Sequence, residues 1–242
     1  MSFFFYGKIK IVTLTCNSHI IMTLKERYRK TIEYFQIIRP VAETELTYTN
    51  PFSLIVSVIL SAQCTDKRVN MIAPALLEKY PDAKSMAEAE PSDIFEFIKS
   101  CSYPNSKAKH LCAMARMLVN EYDGIVPSEP SELQRLPGVG RKTANVVASV
   151  VYNKPVMAVD THVFRVSVRI GLVRNAKTPL SAELQLLENI PAEMIHKAHH
   201  WLILHGRYVC KARNPLCAGC GLKEFCRYYA KKNKEKSVGY IS

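Results

Sequence analysis

The chain has 242 residues, of which 48% are hydrophobic, and it carries a formal net charge of +12. This size allows one domain or two small ones, and no apolar run is long enough to cross a bilayer, so we expect no membrane partner. The charge favours a polyanionic partner, nucleic acid first and an acidic surface second, with an ordinary basic protein as the alternative.

The first 21 residues differ from the rest of the chain. Their apolar stretches are interrupted by Lys8 and Lys10, and no small-residue cleavage site follows, so they make a poor signal peptide. Charged sequence with helical spacing begins only at Met22. We therefore predict that residues 1–21 are a disordered or non-native extension outside the fold.

Helical signals dominate from that point onward. Asn50 followed by Pro51 is typical of an N-cap and a first helical residue, and the apolar run 52–60 continues them as a buried helix. Apolar residues three and four apart predict further helices over 71–80, 92–100 and 108–122.

The second half of the chain continues this pattern. The segment 146–151 has the propensity of a strand, but Gly140 and residues 141–144 lead into it as a helix start, so we predict a helix. Asp160 is positioned to cap the next helix, and a last long helix is predicted from Ala192 to about Tyr208. Without repeats or a convincing sheet, the sequence predicts an all-α protein.

Four of the eight cysteines lie within seventeen residues, in the spacing C-x6-C-x2-C-x5-C. Four thiolates on one short loop suit a tetrahedral zinc ion or an iron–sulfur cluster. Zinc sites more often use two C-x2-C pairs separated by a long gap, so the spacing favours one [4Fe–4S] cluster, with zinc and disulfides as alternatives. The predicted ligands are Cys210, Cys217, Cys220 and Cys226.

The cysteine segment also carries much of the positive charge. From residue 205 to the end there are nine Lys and Arg residues and two Glu residues. A cluster would fold a loop that has little core of its own, and the rigid loop would hold basic side chains against a phosphate backbone. We expect a structural role for the cluster, with electron transfer as the alternative.

The segment 136–144, which reads LPGVGRKTA, predicts a tight turn between two helices. Glycines permit positive φ and the close approach of another molecule's backbone. Outward-facing amides at the start of the second helix would suit one DNA phosphate, without reading a base. The alternative is a plain packing corner. The predicted phosphate-binding residues are Gly138, Val139, Gly140 and Arg141.

Lys142 lies in the first turn after these glycines. The helix dipole and the neighbouring Arg141 both disfavour a positive charge there, which favours a neutral, nucleophilic amine. Asp160 is eighteen residues further along, and it returns to the Lys142 end if the intervening helix packs antiparallel to the next segment. We interpret the two residues as a catalytic pair, with a surface lysine and an ordinary N-cap as alternatives.

Together these segments resemble the endonuclease III family, the helix–hairpin–helix DNA glycosylases that carry a [4Fe–4S] cluster. The resemblance spans about residues 23–229, and it includes the strings LSAQCTD, NSK, AVDTH and WLILHGRY in the same order. It implies a two-domain, all-α helix–hairpin–helix glycosylase fold with a DNA-binding cleft between the domains. The implied parts are a six-helix barrel over 43–154 with the hairpin at about 129–153, a cluster domain from 22–42 plus 155–230, and a basic tail over 231–242.

The resemblance also assigns roles by position. Lys142 matches the family's Schiff-base lysine, Asp160 its catalytic aspartate, and the four clustered cysteines its cluster ligands. Gln63 matches the residue that fills the gap left by the extruded nucleotide. Where the family has Gly-Leu-Tyr before Asn-Ser-Lys, this chain has Ser-Tyr-Pro, so Tyr103 is the candidate wedge into the opposite strand and the opposite-base preference is open.

The activity implied by the resemblance is that of a bifunctional DNA glycosylase and abasic-site lyase in base excision repair. Lys142 would displace an oxidised pyrimidine through a Schiff base, and β-elimination would break the strand. The expected partner is double-stranded DNA with damaged pyrimidines or abasic sites, bound by a monomer in the bacterial cytoplasm, at the nucleoid. The alternatives are an adenine-mismatch glycosylase, against which Lys142 argues, and a non-catalytic DNA-binding iron–sulfur redox sensor, against which the Lys142–Asp160 pair argues.

Overall fold

The computed structural model describes residues 22–238, with side chains as far as residue 233. Over this range the chain forms helices and no strand, which confirms the all-α prediction; residues 1–21 lie outside it. The helices are α1 (Leu24–Ile38), α2 (Pro51–Ser61), α3 (Asp66–Lys79), α4 (Ala83–Ala87), α5 (Pro91–Ile98), α6 (Pro104–Tyr122), α7 (Pro130–Leu133), α8 (Arg141–Tyr152), α9 (Thr161–Ile170), α10 (Pro179–Asn189), α11 (Ile195–Tyr208) and α12 (Arg227–Val238).

The helix starts agree closely with their local sequence. The Asn50 side chain accepts a hydrogen bond from the Ser53 amide at 2.8 Å, and the Ser53 hydroxyl accepts one from the Asn50 amide at 3.0 Å, so α2 begins as predicted. The segment 146–151 is helical despite its β-branched residues, as part of α8. The last predicted helix begins three residues late, because 192–194 form a single 3-10 turn.

The C-terminal residues differ in form from the predicted basic tail. Helix α12 begins directly after the last cluster cysteine and continues to Val238, so residues 231–238 are helical. This segment has few apolar residues, so the sequence contained no periodic signal that predicted the helix. Its first turn is tied to the rest of the protein, since the Arg169 guanidinium lies over the Tyr228 ring at 4.4 Å.

The buried side chains form two separate cores. One is built from residues between Leu46 and Ala148, and contains α2 to α8. The other combines α1 with residues between Met157 and Leu222. Trp201 joins the two chain segments of this second core. Its ring stacks on Phe35 with 5.8 Å between the ring centroids, and its indole N–H donates to the Arg39 carbonyl at 2.7 Å. These cores agree in outline with the two predicted domains, whose limits remain predictions.

Polar contacts cross between the two halves of the structure. Arg141 at the start of α8 pairs with the buried Glu183 of α10 at 2.6 Å. Arg207 of α11 donates to Glu45 and to Asp66, both of which belong to the other half. These contacts hold α8 against α10, and α11 against Glu45 and the start of α3, so the residues that face the space between the halves are held in place. None of the helices between residues 22 and 238 is long and apolar enough to cross a membrane.

Candidate active site and cysteine centre

The two hairpin glycines play different parts. Gly138 has φ +80°, and a Cβ at this position would lie 2.9 Å from His110 Cβ, so both the backbone and the available space require glycine. Gly140 has φ −85° and needs no special conformation. A Cβ at Gly140 would meet nothing within 4 Å, so the surface in front of it is open to an incoming backbone.

The start of α8 presents free amides to this open surface. Gly140 caps the helix without a side chain, and no acceptor for the Gly140 and Arg141 amides occurs among the described residues. The Val139 amide, by contrast, donates to the Leu136 carbonyl at 3.0 Å. Val139 therefore shapes the hairpin and packs into the first core, and the expectation of an outward-facing amide there was wrong.

Lys142 and Asp160 face one cleft between the two halves of the protein. Both side chains line it together with Gln63. Lys142 is exposed, while the Asp160 side chain is only 11% exposed. Asp160 accepts hydrogen bonds from the His162 and Val163 amides, both at 2.8 Å. Asp160 is thus the N-cap of α9 and a carboxylate of the cleft at the same time.

The surroundings of Asp160 favour its charged form. Burial raises the pKa of Asp160, but the Val163 amide, the His162 ring and the positive charge of Lys142 outweigh it, and the pKa lies below the ordinary aspartate value. The His162 Nδ1 atom lies 3.0 Å from Asp160 Oδ2. Asp160 is therefore a carboxylate at neutral pH and faces the cleft with a negative charge.

The environment of Lys142 differs from the expected one in one respect. The Arg141 charge was expected to disfavour an ammonium on Lys142, but the Arg141 guanidinium forms two hydrogen bonds with the Glu183 carboxylate, at 2.6 and 3.1 Å. The carboxylate offsets most of that charge.

Sequence reasoning missed several residues of the cleft. His199 is fully buried behind it, where burial lowers the pKa of the ring to about 4, so His199 is neutral at physiological pH. Its place on the inner face of α11 gave no signal of a site. The other unpredicted lining residues include Asp66, Phe164, Lys177, Pro179 and Arg207.

Gln63 and Tyr103 lie on adjacent loops, although forty positions separate them in the sequence. Both have left-handed backbones, with φ 53° and 55°. The Ser102 hydroxyl donates to the Gln63 carbonyl at 2.6 Å and joins the two loops. Gln63 lines the cleft, and the Tyr103 side chain is 64% exposed. The structure thus brings together the two residues for which the sequence predicted contact with DNA bases.

The four clustered cysteines line a second pocket. All four are free thiols. Burial raises the pKa of the Cys220 and Cys226 thiols, and the neighbouring cysteines raise it further, so a positively charged metal group is needed to hold them as thiolates. Among the described residues, no three His, Cys, Asp or Glu side chains are arranged to hold a single metal ion. Four thiol donors that line one pocket are the ligand set that an iron–sulfur cluster uses.

Two arginines hold the cysteine loop in place. Arg169 donates to the Lys211 carbonyl at 2.7 Å, and its guanidinium lies 3.5 Å from Cys210 Sγ. Arg165 donates to the Cys210 carbonyl at 3.1 Å. The sequence offered these arginines only as part of the general positive charge, whereas the structure uses them to position the loop.

Comparison with known proteins identifies the family. Residues 56–192 match the HhH-GPD superfamily of base excision DNA repair proteins, and residues 210–226 match the iron–sulfur binding domain of endonuclease III. The chain belongs to the endonuclease III family. The endonuclease III of Rickettsia felis is 48% identical over 83% of this chain and 93% of its own length. The enzyme of Escherichia coli is 41% identical over 79% of this chain and 90% of its own length.

Solved structures agree with this assignment. A trapped covalent intermediate of endonuclease III with DNA and a non-covalent endonuclease III–DNA complex both have a TM-score of 0.83 and 40% identity, over 88% of this chain and 100% of theirs. A thermostable thymine-DNA glycosylase, at 24% identity and a TM-score of 0.74, shares the fold. The predicted family, fold, iron–sulfur cofactor, DNA partner and enzyme class, a DNA glycosylase and abasic-site lyase, are confirmed.

Proposed function

We propose that this protein removes oxidised pyrimidines from double-stranded DNA and then cleaves the strand at the abasic site, with Lys142 as the nucleophile. The observation that carries the proposal is the shared cleft, in which Lys142 at an uncapped helix start faces the ionised Asp160. A lysine and a carboxylate beside free amides supply a nucleophile, a charge stabiliser and a phosphate site. The related endonuclease III has been trapped as a covalent intermediate with DNA, as such a nucleophile requires.

The reaction can be derived from these groups. Once it has lost its proton, the Lys142 amine attacks C1′ of a nucleotide flipped into the cleft, and the bond from C1′ to the damaged base breaks. The Asp160 carboxylate stabilises the positive charge that develops on the sugar. Ring opening gives a Schiff base to Lys142, which acidifies the 2′ hydrogen. Removal of that proton expels the 3′ phosphate by β-elimination.

DNA is held by parts of the site that do not react. We propose that the free amides of Gly140 and Arg141 bind one phosphate at the start of α8. The left-handed loops would place Gln63 in the space left by the flipped nucleotide and Tyr103 in the opposite strand. The phosphate contact does not depend on the base sequence, as a repair enzyme requires.

The cysteine cavity takes a supporting part in this function. Cys210, Cys217, Cys220 and Cys226 would hold a [4Fe–4S] cluster, which supplies a rigid cross-link for a loop with little core of its own. Arg165 of α9 donates to the Cys210 carbonyl in this loop and to the Gly206 carbonyl of α11. The loop is therefore connected to α9, the helix that Asp160 caps. We propose that the cluster orders the DNA-binding surface and that the chemistry takes place on Lys142.

Borohydride trapping on a duplex with an abasic site tests the nucleophile. The parent protein is expected to form a reduced covalent adduct, and Lys142→Gln should lower both adduct and strand cleavage about 10³-fold or more. Lys177→Gln is the matched control, because Lys177 lines the same cleft away from the α8 start. An adduct that persists in Lys142→Gln, or that disappears in Lys177→Gln alone, would refute the assignment.

A panel of duplexes tests the substrate. We expect base release from duplexes with an oxidised pyrimidine, and none from undamaged DNA. Activity confined to adenine mismatches would show the alternative glycosylase, and tight binding without any cleavage would show the non-catalytic alternative. We also propose that one copy of the chain acts alone, at chromosomal DNA in the bacterial cytoplasm. Sedimentation of the DNA complex tests whether one copy binds.

A further inference from the structure

Two cysteines outside the cluster lie in contact with each other. Cys64 Sγ and Cys101 Sγ are 3.7 Å apart, although the residues are separated by 37 positions. Cys64 comes after α2 and lines the cleft, while Cys101 comes after α5 and is buried. The third cysteine of this half, Cys112, is also buried, but no thiol contacts it among the described residues.

The thiol pair lies between the two loops that carry Gln63 and Tyr103. Each cysteine is one or two residues from one of these, and the Ser102–Gln63 hydrogen bond already holds the loops together. Lys107 reinforces the arrangement, since its buried ammonium donates to the Leu60 and Ala62 carbonyls at 2.8 and 2.7 Å. An S–S bond measures about 2.0 Å, so the sulfurs need to approach by less than 2 Å to bond.

The two thiols differ in access, and the Cys101 thiol has a raised pKa. Cys64 is half-buried and faces the open cleft, where a small reagent can reach it. Burial and the contact with Cys64 raise the pKa of Cys101 to about 11, although the charges of Lys107 and Arg68 work in the opposite direction. An incoming reagent therefore reacts first at Cys64, and Cys101 completes the reaction as the second thiol.

We propose that Cys64 and Cys101 form a reversible disulfide that locks the Gln63 loop to the Tyr103 loop and weakens binding of the duplex. A low-molecular-weight disulfide is the oxidant. The Cys64 thiolate attacks one sulfur of the reagent, releases one thiol and leaves a mixed disulfide. The Cys101 thiolate then attacks Cys64 Sγ and releases the second reagent thiol. The two cysteines lose two electrons and two protons, and the reagent gains them.

The lock acts on DNA through the backbone of the two loops. The sulfurs must approach by less than 2 Å to bond, and this approach displaces the loop backbones next to Gln63 and Tyr103, the two residues proposed to enter the duplex. The effect on duplex binding rests on the proposed function, whereas formation of the bond does not. The thiol measurement and the binding measurement can therefore fail separately.

The test uses the full-length protein with its cluster, equilibrated with mixtures of reduced and oxidised glutathione. After alkylation and proteolysis, mass spectrometry should find a linked peptide pair that contains Cys64 and Cys101, while the visible absorbance of the cluster is unchanged. Two alkylatable thiols at these positions under oxidising mixtures would overturn the proposal. A glutathione adduct that stays on Cys64 of the parent protein, without attack by Cys101, would also overturn the proposal.

Variants separate the two thiols. Cys101→Ala should accumulate glutathione on Cys64, Cys64→Ala should leave Cys101 unmodified, and Cys112→Ala, the buried control, should form the link like the parent. Oxidation should weaken duplex binding by the parent on the order of tenfold, and dithiothreitol should restore it. The affinity of Cys64→Ala for the duplex should be the same under oxidising and reducing conditions. Equal binding by the linked and reduced parent would refute the lock, even if the bond forms.

Discussion

The ion pair between Arg141 and Glu183 is expected to be a strong link between the two halves of the protein. The Glu183 side chain is 6% exposed and the Arg141 side chain 51% exposed. Arg141→Met keeps the apolar stem but leaves the buried carboxylate with the Asn145 amide, at 3.2 Å, as its remaining partner. Breaking a fully buried pair costs about 3–5 kcal/mol. Because Arg141 is half exposed and water can reach it, we expect a loss of about 2 kcal/mol.

Urea unfolding monitored by circular dichroism measures this loss. Arg135→Met is the matched control, since the Arg135 side chain is equally exposed at 53% but its partners Glu121 and Glu132 are exposed as well; we expect it to cost less than about 1 kcal/mol. The double variant Arg141→Met/Glu183→Gln removes the unpaired charge, so it should be more stable than Arg141→Met alone. A single variant as stable as the parent, or a double variant less stable than the single, would refute the reasoning.

Three further results are expected. Gly138→Ala should destabilise the protein by about 1–3 kcal/mol in thermal unfolding, because its φ is +80° and the added Cβ meets a side chain, whereas Gly140→Ala should leave the melting temperature unchanged and weaken binding of an abasic duplex. Arg169→Met should speed the loss of cluster absorbance in urea, and Arg213→Met, an exposed position on the same loop, should not. The pKa of Asp160 is lowered in the folded state, so its contribution to stability is present above the ordinary aspartate pKa and is lost as the pH falls below it. The unfolding free energies of the parent and of Asp160→Asn should therefore converge in acid; a gap that persists there would contradict this.

Much of the local structure could be predicted from the sequence. The capping box at Asn50, the helical reading of 146–151 and the spacing of the four cysteines all involve residues close together in the chain. Interactions over such short separations depend little on the rest of the fold. The resemblance then supplied the arrangement of the two halves and the proposed roles of Lys142 and Asp160.

Other features could not be predicted, because they depend on residues far apart in the sequence. A helix cap and a cleft carboxylate looked like alternatives for Asp160, but its side chain caps α9 and also lines the cleft that contains Lys142. The sequence also did not show that Val139 turns its amide inward. Helix α12 was missed because contacts with α9 stabilise it, in the absence of an apolar stripe of its own.

The sequence by itself determined most of the longer helices, the cysteine spacing and the candidate nucleophile. Only the tertiary structure decided that Glu183 offsets the charge of Arg141, and that Cys64 contacts Cys101 between the two loops of Gln63 and Tyr103. The physical reason is the range of the interactions. Capping and helical spacing act within a few residues, whereas the charge balance and the thiol contact arise where packing brings distant segments within about 4 Å.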